Sequence, residues 1–364
     1  MDKESPLKTI IFSGGGTGGS ATPLLAVAEE ILDHNPKSHL VFVGTASGPE
    51  KQLVADFGVA GNTLEFVAIA AGKWRRYFSL ANLLDPFKII LAFFQSLALL
   101  RRYRPQAVIS AGSFVSVPLV WAAACLKIPA LIHQQDVRPG LANRLMAPWA
   151  RVISVTFEKS LLDYGSKAVW VGNPVSRQAV ANSGDSRRDW GFSPERPLVL
   201  ITGGSSGSLA LNQLISESAS RLLEVCQIFH QTGPGKPGLA LESAGYRQAE
   251  LLSQPEMIRL MAASDLIVSR AGLGTLSALS ELAKPSLIIP LPRSHQEDNA
   301  ALLAQAEAAE VRHQAELSAD AFVSIITKLL EDQGRLQELG QNIRRLMRPE
   351  AAAKLAGIIE EMIA

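Results

Sequence analysis

Two glycine-rich stretches hold most of the chemistry this sequence can do. In Ile10-Ile11-Phe12-Ser13-Gly14-Gly15-Gly16-Thr17-Gly18-Gly19-Ser20 an apolar run reads as a buried strand, a glycine turn follows, and residues 24–32 repeat with helical period. Glycines let the backbone turn tightly and bring N–H groups close to a ligand. The helix opening behind them offers unpaired donors and a positive dipole end. That combination suits a phosphate or a sugar nucleotide, with a purely structural turn as the alternative. The pattern recurs half a chain later in Pro197-Leu198-Val199-Leu200-Ile201-Thr202-Gly203-Gly204-Ser205-Ser206-Gly207-Ser208. His133 and Asp136 are site candidates by position, because the strand at 130–133 ends in the polar run His133-Gln134-Gln135-Asp136. In open parallel sheets, ligands gather beyond the carboxyl ends of strands; ordinary loop polarity is the alternative.

Several other chemistries lack their residues. Six scattered histidines without paired spacing, and no Asp-x-Asp, give no metal site. No acyl-transfer elbow is expected, although Gly203-Gly204-Ser205-Ser206-Gly207 has the Gly-x-Ser-x-Gly spacing, and there is no Gly-x-x-x-x-Gly-Lys-Ser/Thr phosphate loop. A nicotinamide site wants an acid near the end of the second strand, which here closes on Val43-Gly44-Thr45. No cofactor is expected. Two glycine-loop domains facing across a cleft suit a nucleotide-sugar donor on one side and an acceptor on the other. Glycosyl transfer needs a base for the acceptor hydroxyl and positive dipoles for the departing diphosphate. The loop at 205–208, with its helix start, can supply the dipoles without a metal.

The elements that must position these residues alternate strand and helix, which predicts an α/β chain of doubly wound parallel sheets. At 364 residues and 47% hydrophobic, the chain suits two globular domains. A net charge of +1 gives no global reason to expect nucleic acid. Cys125 and Cys226 read as small core residues of a reducing compartment. The charged N-terminus runs straight into a strand, so no signal peptide is expected, and no apolar run reaches the roughly 20 residues of a membrane span. A cytosolic chain follows. The first sheet is expected from 40–44, 64–69, 108–113, 130–133, 152–155 and 169–171 besides the opening strand, with the domain boundary at Gly172-Asn173-Pro174. The second is expected from 197–202, 228–232, 266–269 and 286–290, with helices at 257–263, 300–310, 319–330, 335–347 and 351–363. Residues 73–104 stand apart. Lys73, Trp74, Arg75, Arg76 and Phe78 precede a helical run at 87–100 that closes on Arg101, Arg102 and Arg104. Its apolar part, 89–100, is about 18 Å long as a helix, short of the roughly 30 Å hydrocarbon core. It either lies on a membrane with arginines at phosphates or is a core helix with solvated ends.

Six motifs in order resemble the MurG family: Gly14-Gly15-Gly16-Thr17-Gly18-Gly19; His133-x-Gln135-Asp136 with Pro139-Gly140-Leu141-Ala142-Asn143-Arg144; Gly172-Asn173-Pro174-Val175; Gly203-Gly204-Ser205-x-Gly207; Ser269-Arg270-Ala271-Gly272; and His295-Gln296-x-x-Asn299. The resemblance implies two Rossmann-like domains of the glycosyltransferase B type. They are an acceptor-binding, membrane-facing domain over 1–172 and a UDP-sugar domain over 173–347, with a helix at 348–364 returning to the first. It implies inverting, metal-independent transfer of N-acetylglucosamine from UDP-N-acetylglucosamine to undecaprenyl-pyrophosphoryl-MurNAc-pentapeptide (lipid I), giving lipid II for peptidoglycan. The partners implied are that donor, a polyprenyl-diphosphate acceptor and the cytoplasmic face of the plasma membrane, touched through Trp74, Arg75, Arg76 and Phe78. Carried over by position, donor contacts fall on Thr17, Gly18, Gly19, Asp136, Ser205, Leu273, Gly274, Thr275, Leu276, Ser277, Ala278 and Gln296. The family's arginine after Gly-Asn-Pro-Val falls on Ser176, with Arg177 one place later. The chain departs from the family's His at Ser20, its Glu at Gln134, its Asn at Asp136 and its ribose-binding Glu at Ala278, with Glu281 three residues on. Serine is a poor base at neutral pH, so Asp136 is the expected base, with His133 nearby and Ser20 as a third catalytic position. The alternatives are a related transferase with another sugar or lipid acceptor, and a donor-binding protein without turnover.

Overall fold

The computed structural model describes residues 8–16, 18–58, 63–72, 81–181, 187–241 and 243–364. Two compact units emerge: Met1–Ser176 together with Glu350–Ala364, and Arg177–Pro349.

The first unit runs β1 (Thr9–Ser13), α1 (Gly18–His34), β2 (His39–Gly44), α2 (Glu50–Ala55), β3 (Glu65–Ala68) and α3 (Ala81–Tyr103). It continues with β4 (Ala107–Ser110), α4 (Ser116–Cys125), β5 (Ala130–Gln134), α5 (Leu141–Met146), β6 (Val152–Val155) and β7 (Ala168–Trp170). The sheet is parallel in the order β3-β2-β1-β4-β5-β6-β7. The chain winds outward from β1 to β3 and then returns to β4 beside β1, so the crevice at the carboxyl ends opens between β1 and β4.

The second unit holds α6 (Arg177–Ala181), β8 (Leu198–Thr202), α7 (Leu209–Val225), β9 (Gln227–Gln231), β10 (Tyr246–Ala249) and α8 (Gln254–Ala263). It goes on through β11 (Leu266–Ser269), α9 (Leu273–Glu281), β12 (Ser286–Ile288), α10 (Gln296–Gln305), β13 (Glu310–Val311), α11 (Ala319–Glu331) and α12 (Gln333–Met347). Its parallel sheet has the order β10-β9-β8-β11-β12-β13, and the switch falls between β8 and β11. Each glycine loop therefore leaves the first strand of its sheet at the switch point.

Period-two alternation splits the first sheet's core in two. Ile10, Phe12, Leu40 and Phe42 pack with α1, while Ile11, Val41 and Val43 pack toward α3 and α4. The α1 layer is completed by α13 (Ala351–Ile363), whose Leu355, Ala356 and Ile359 are fully buried against it. Among the described residues no helix is long and apolar enough to cross a membrane.

The structure corrects several local readings. The helix expected at 87–100 spans Ala81–Tyr103, and the one expected at 300–310 is Gln296–Gln305, because residues 310–311 form the edge strand β13. β10 was not foreseen: Arg247 and Gln248 are exposed on this edge strand, so no apolar signal marks it. Cys226 is buried, and burial pushes its thiol up to about 12. Cys125 is exposed at the end of α4 rather than in the core.

Candidate active site

The first glycine loop turns its donors inward. Gly14 N–H donates to the Val43 carbonyl at 3.3 Å, Gly15 N–H to Ser20 Oγ at 3.0 Å, and Gly16 N–H to Glu50 Oε2 at 3.2 Å. The Gly15 carbonyl accepts from Ser113 Oγ at 2.9 Å, and Ser116 Oγ donates to the Ser13 carbonyl at 3.0 Å. Glu50 is 0% exposed, and its Oε1 also accepts from the Thr45 N–H and hydroxyl. A Cβ on Gly15 would lie 2.6 Å from Glu50 Oε1, so only glycine fits over this carboxylate. Such a loop has no N–H left for a ligand up to Gly16; Thr17 lies outside the described residues. The donors that remain belong to the first turn of α1, at Gly18 and Gly19. Ser20, buried in that turn, closes the loop rather than facing solvent.

Beyond β5 lies a second buried network. His133 is 0% exposed, with Nε2 2.9 Å from Asn173 Oδ1 and Nδ1 2.9 Å from Ser154 Oγ. The amide oxygen fixes the proton on Nε2 and leaves Nδ1 to accept from the serine hydroxyl. Burial pulls its pKa down to about 4, so the ring is neutral and both nitrogens are engaged. This geometry positions the strand end and leaves no nitrogen to receive a proton from an acceptor. Gln134 is equally buried. Its Nε2 donates to the Asp136 carbonyl at 2.7 Å and the Arg138 carbonyl at 3.1 Å, while Oε1 accepts from Asn143 Nδ2 at 2.6 Å and Tyr164 OH at 3.0 Å. A glutamate could not make the first two bonds, which gives the amide at this position a physical reason. Gln135 Nε2 reaches the Gly19 carbonyl at 2.9 Å and ties this loop to the start of α1. Asp136 is half-buried between these anchors. Of the three catalytic candidates, only Asp136 pairs a carboxylate with partial exposure.

The second glycine loop is built differently. Gly204 N–H goes to Thr202 Oγ1 at 3.0 Å and Gly207 N–H to the Gly204 carbonyl at 2.9 Å. Gly207 has φ +66, and a Cβ there would lie 2.2 Å from the Thr232 carbonyl. Ser205 and Ser206 are exposed, and among the described residues no acceptor takes their N–H groups. Ser208 caps α7 through Leu211 N–H at 3.4 Å and also accepts from Arg270 Nη2 at 2.7 Å. Arg270 is 5% exposed; it donates to the Ile289 and Pro290 carbonyls and to Gln314 Oε1, and burial lowers its pKa. Lys236 Nζ donates to the Ser206 carbonyl. The loop therefore presents open N–H donors at a helix start with two cations at hand.

The remaining donor positions sort by burial. Leu273, Leu276, Ser277 and Ala278 face the core of α9, while Gly274 is exposed and Thr275 half-buried. Near the start of that helix, Gly274 and Thr275 are the accessible positions. Glu281 ends α9, about 4.5 Å further along the axis than Ala278. Gln296 opens α10, with its Oε1 on Leu291 N–H at 3.0 Å. Arg177 is exposed at the start of α6. Trp74, Arg75, Arg76 and Phe78 lie outside the described residues. Sequence reasoning missed Glu50, Ser113 and Arg270; the last stood inside a quoted motif, while nothing local marks a glutamate after Gly48-Pro49 as buried. Among the described residues no three His, Cys, Asp or Glu side chains gather as a metal site.

Both sheets match one family. Residues 10–155 match the glycosyltransferase family 28 N-terminal domain and 198–356 its C-terminal domain, so the chain is a glycosyltransferase of family 28. A relative from Clostridium kluyveri, a UDP-N-acetylglucosamine–N-acetylmuramyl-(pentapeptide) pyrophosphoryl-undecaprenol N-acetylglucosamine transferase, is 38% identical over 290 residues, 79% of this chain and 80% of its own. A transferase of the same description from Clostridium tetani is 36% identical over 289 residues, 79% of this chain and 78% of its own. The crystal structure of Acinetobacter baumannii MurG superposes with a TM-score of 0.73 at 26% identity, covering 97% of this chain and 99% of that one. Within family 28, the chain belongs to the MurG family.

Proposed function

We propose that this chain transfers N-acetylglucosamine from UDP-N-acetylglucosamine to undecaprenyl-pyrophosphoryl-MurNAc-pentapeptide, forming lipid II, with inversion at the sugar and no metal ion. The observation that carries it is the open second loop: the Ser205 and Ser206 N–H groups and the α7 start are donors for a diphosphate, with Arg270 and Lys236 behind them. The relatives' activity supports the particular donor and acceptor. The acceptor hydroxyl attacks the anomeric carbon, the bond from that carbon to the diphosphate oxygen breaks, and UDP leaves toward the loop. Asp136 takes the hydroxyl proton. In this reading the first unit, with α13, binds the acceptor and the second binds the donor through Ser205, the 273–275 turn and Gln296.

The same reading puts the first unit on the cytoplasmic face of the plasma membrane. On α3, Phe87, Ile90, Leu91 and Phe94 share one helical face and are 70%, 55%, 52% and 61% exposed. Four large apolar side chains in one exposed stripe suit an acyl boundary rather than water.

UDP release from UDP-N-acetylglucosamine with a lipid I analogue, measured in EDTA, tests the reaction. Release that depends on the acceptor and survives EDTA is expected, and Asp136→Asn is expected to lower kcat by about 100-fold or more. Full turnover in Asp136→Asn would remove the base. Donor binding by calorimetry with no release would favour the second reading, a donor-binding protein without turnover. Ser20 and Ala278, standing where the family has His and Glu, favour that outcome.

A further inference from the structure

Left-handed backbone at residues other than glycine falls in two expected places and one unexpected one. Arg104, Lys127, Ala283 and Glu307 close α3, α4, α9 and α10, where helices commonly turn that way. Arg348 and Glu350 flank Pro349, where the chain passes from the second unit to the first. Arg293, at φ +57, belongs to neither group. It lies in the loop between β12 and α10, at the carboxyl edge of the second sheet, where ligands gather in such folds. A side chain is strained in that conformation and persists there only where its surroundings hold it. Here they do. Leu291 N–H donates to Gln296 Oε1 at 3.0 Å, Ser294 Oγ to the Leu291 carbonyl at 2.8 Å, and Gln296 N–H to Ser294 Oγ at 3.2 Å. Arg270 Nη1 donates to the Pro290 carbonyl at 3.1 Å and Nη2 to Ser208 Oγ at 2.7 Å, so one guanidinium ties the root of this loop to the second glycine loop. Arg293 itself is exposed. Among the described residues its side chain makes no ion pair or hydrogen bond, although Glu297 and Asp298 stand in the first turn of α10.

We propose that Arg293 is a further binding residue for the nucleotide, its guanidinium folding onto the diphosphate from the α10 side as the sugar is transferred. The inference rests on the reading of the second unit as the donor site. As a turn alone, this position would be served by glycine without strain. The chain instead sets an unpaired cation at the edge of a crevice whose glycine loop offers open N–H donors. A guanidinium can engage two phosphate oxygens at once. UDP carries one more negative charge than its sugar ester, so the contact strengthens as the bond to the sugar breaks.

Calorimetry of the full chain with UDP, UDP-N-acetylglucosamine and uridine tests the assignment. Arg293→Gly is the first variant, because glycine takes the left-handed backbone freely and the protein is expected to melt no lower than the parent. UDP is expected to bind it about 10-fold more weakly, UDP-N-acetylglucosamine with a smaller loss, and uridine, which has no phosphate, with its Kd unchanged. Arg293→Lys keeps the charge without the two-pronged fit and is expected to lie between. Arg188→Gln removes an exposed positive charge ahead of β8 and is expected to bind UDP like the parent. Equal UDP affinity in Arg293→Gly overturns the assignment. A matching loss for uridine does so too, since Arg293 would then only shape the pocket, and a matching loss in Arg188→Gln would reduce the effect to general charge. If the parent itself binds neither UDP nor uridine, the donor reading falls and this assignment falls with it.

Discussion

The two glycine loops share a sequence signature and a place in their sheets, yet they spend their backbone donors in opposite ways. After β1, Gly14, Gly15 and Gly16 give every N–H to protein acceptors, including a carboxylate with no exposure. After β8, Ser205 and Ser206 keep theirs outward, and the loop is held instead by Gly207 against Thr232 and by Gln231 Nε2 on the Gly204 carbonyl. A glycine-rich turn is thus a statement about backbone space, and only the neighbours decide whether that space serves a ligand or the fold.

The largest expected effect tests what the units share. His230 repeats the His133 arrangement, with Nε2 3.1 Å from Asn212 Oδ1 and Nδ1 2.9 Å from Tyr246 OH, and burial lowers its pKa to about 4 as well. With unfolded values near 6.5, the unfolded chain binds more protons between those limits. Stability is therefore full above 6.5, falls as pH drops through that value, and stops falling below about 4. Each histidine contributes up to about 3 kcal/mol to the loss. Denaturant melts across the window should show it, and a flat profile would remove the neutral pair.

Next comes the contrast itself. Gly207→Ala meets a carbonyl and a left-handed backbone, and is expected to lower donor affinity ~100-fold. Gly16→Ala has φ +81 and meets Phe114 Cε1 at 2.8 Å; it is expected to lower the melting temperature while calorimetry finds the donor Kd intact. Equal loss of donor affinity in both variants would erase the difference between the loops. The smallest effect is Glu50→Gln, expected to destabilise the first unit by about 2 kcal/mol through lost acceptors for buried N–H groups. A donor Kd shifted by more than about tenfold would show that the first loop does more than shape the fold.

Much of this was legible in the sequence. Runs such as Leu198-Val199-Leu200-Ile201 carry buried parallel strands in plain view, and both switch-point loops follow from them. The edge strands β10 and β13 escaped because one is polar where it is exposed and the other has two residues. The inward turn of the first loop escaped for a different reason. Its partners Glu50 and Ser113 lie 34 and 98 positions from the residues they hold, so no local pattern announces them. Asn173 and Gln134 stood inside recognised motifs, but only coordinates show one fixing a histidine tautomer and the other tying two carbonyls.

The helix α13 has a consequence for how the chain is made. Its Leu355, Ala356 and Ile359 complete the layer over Leu24, Val27 and Ile31, yet they leave the ribosome after the whole of Arg177–Pro349. During synthesis the second unit can close its core first, while the older half waits with an apolar α1 face uncovered. The order of birth and the order of completion are reversed, and the growing chain depends in that interval on whatever shields the face of α1.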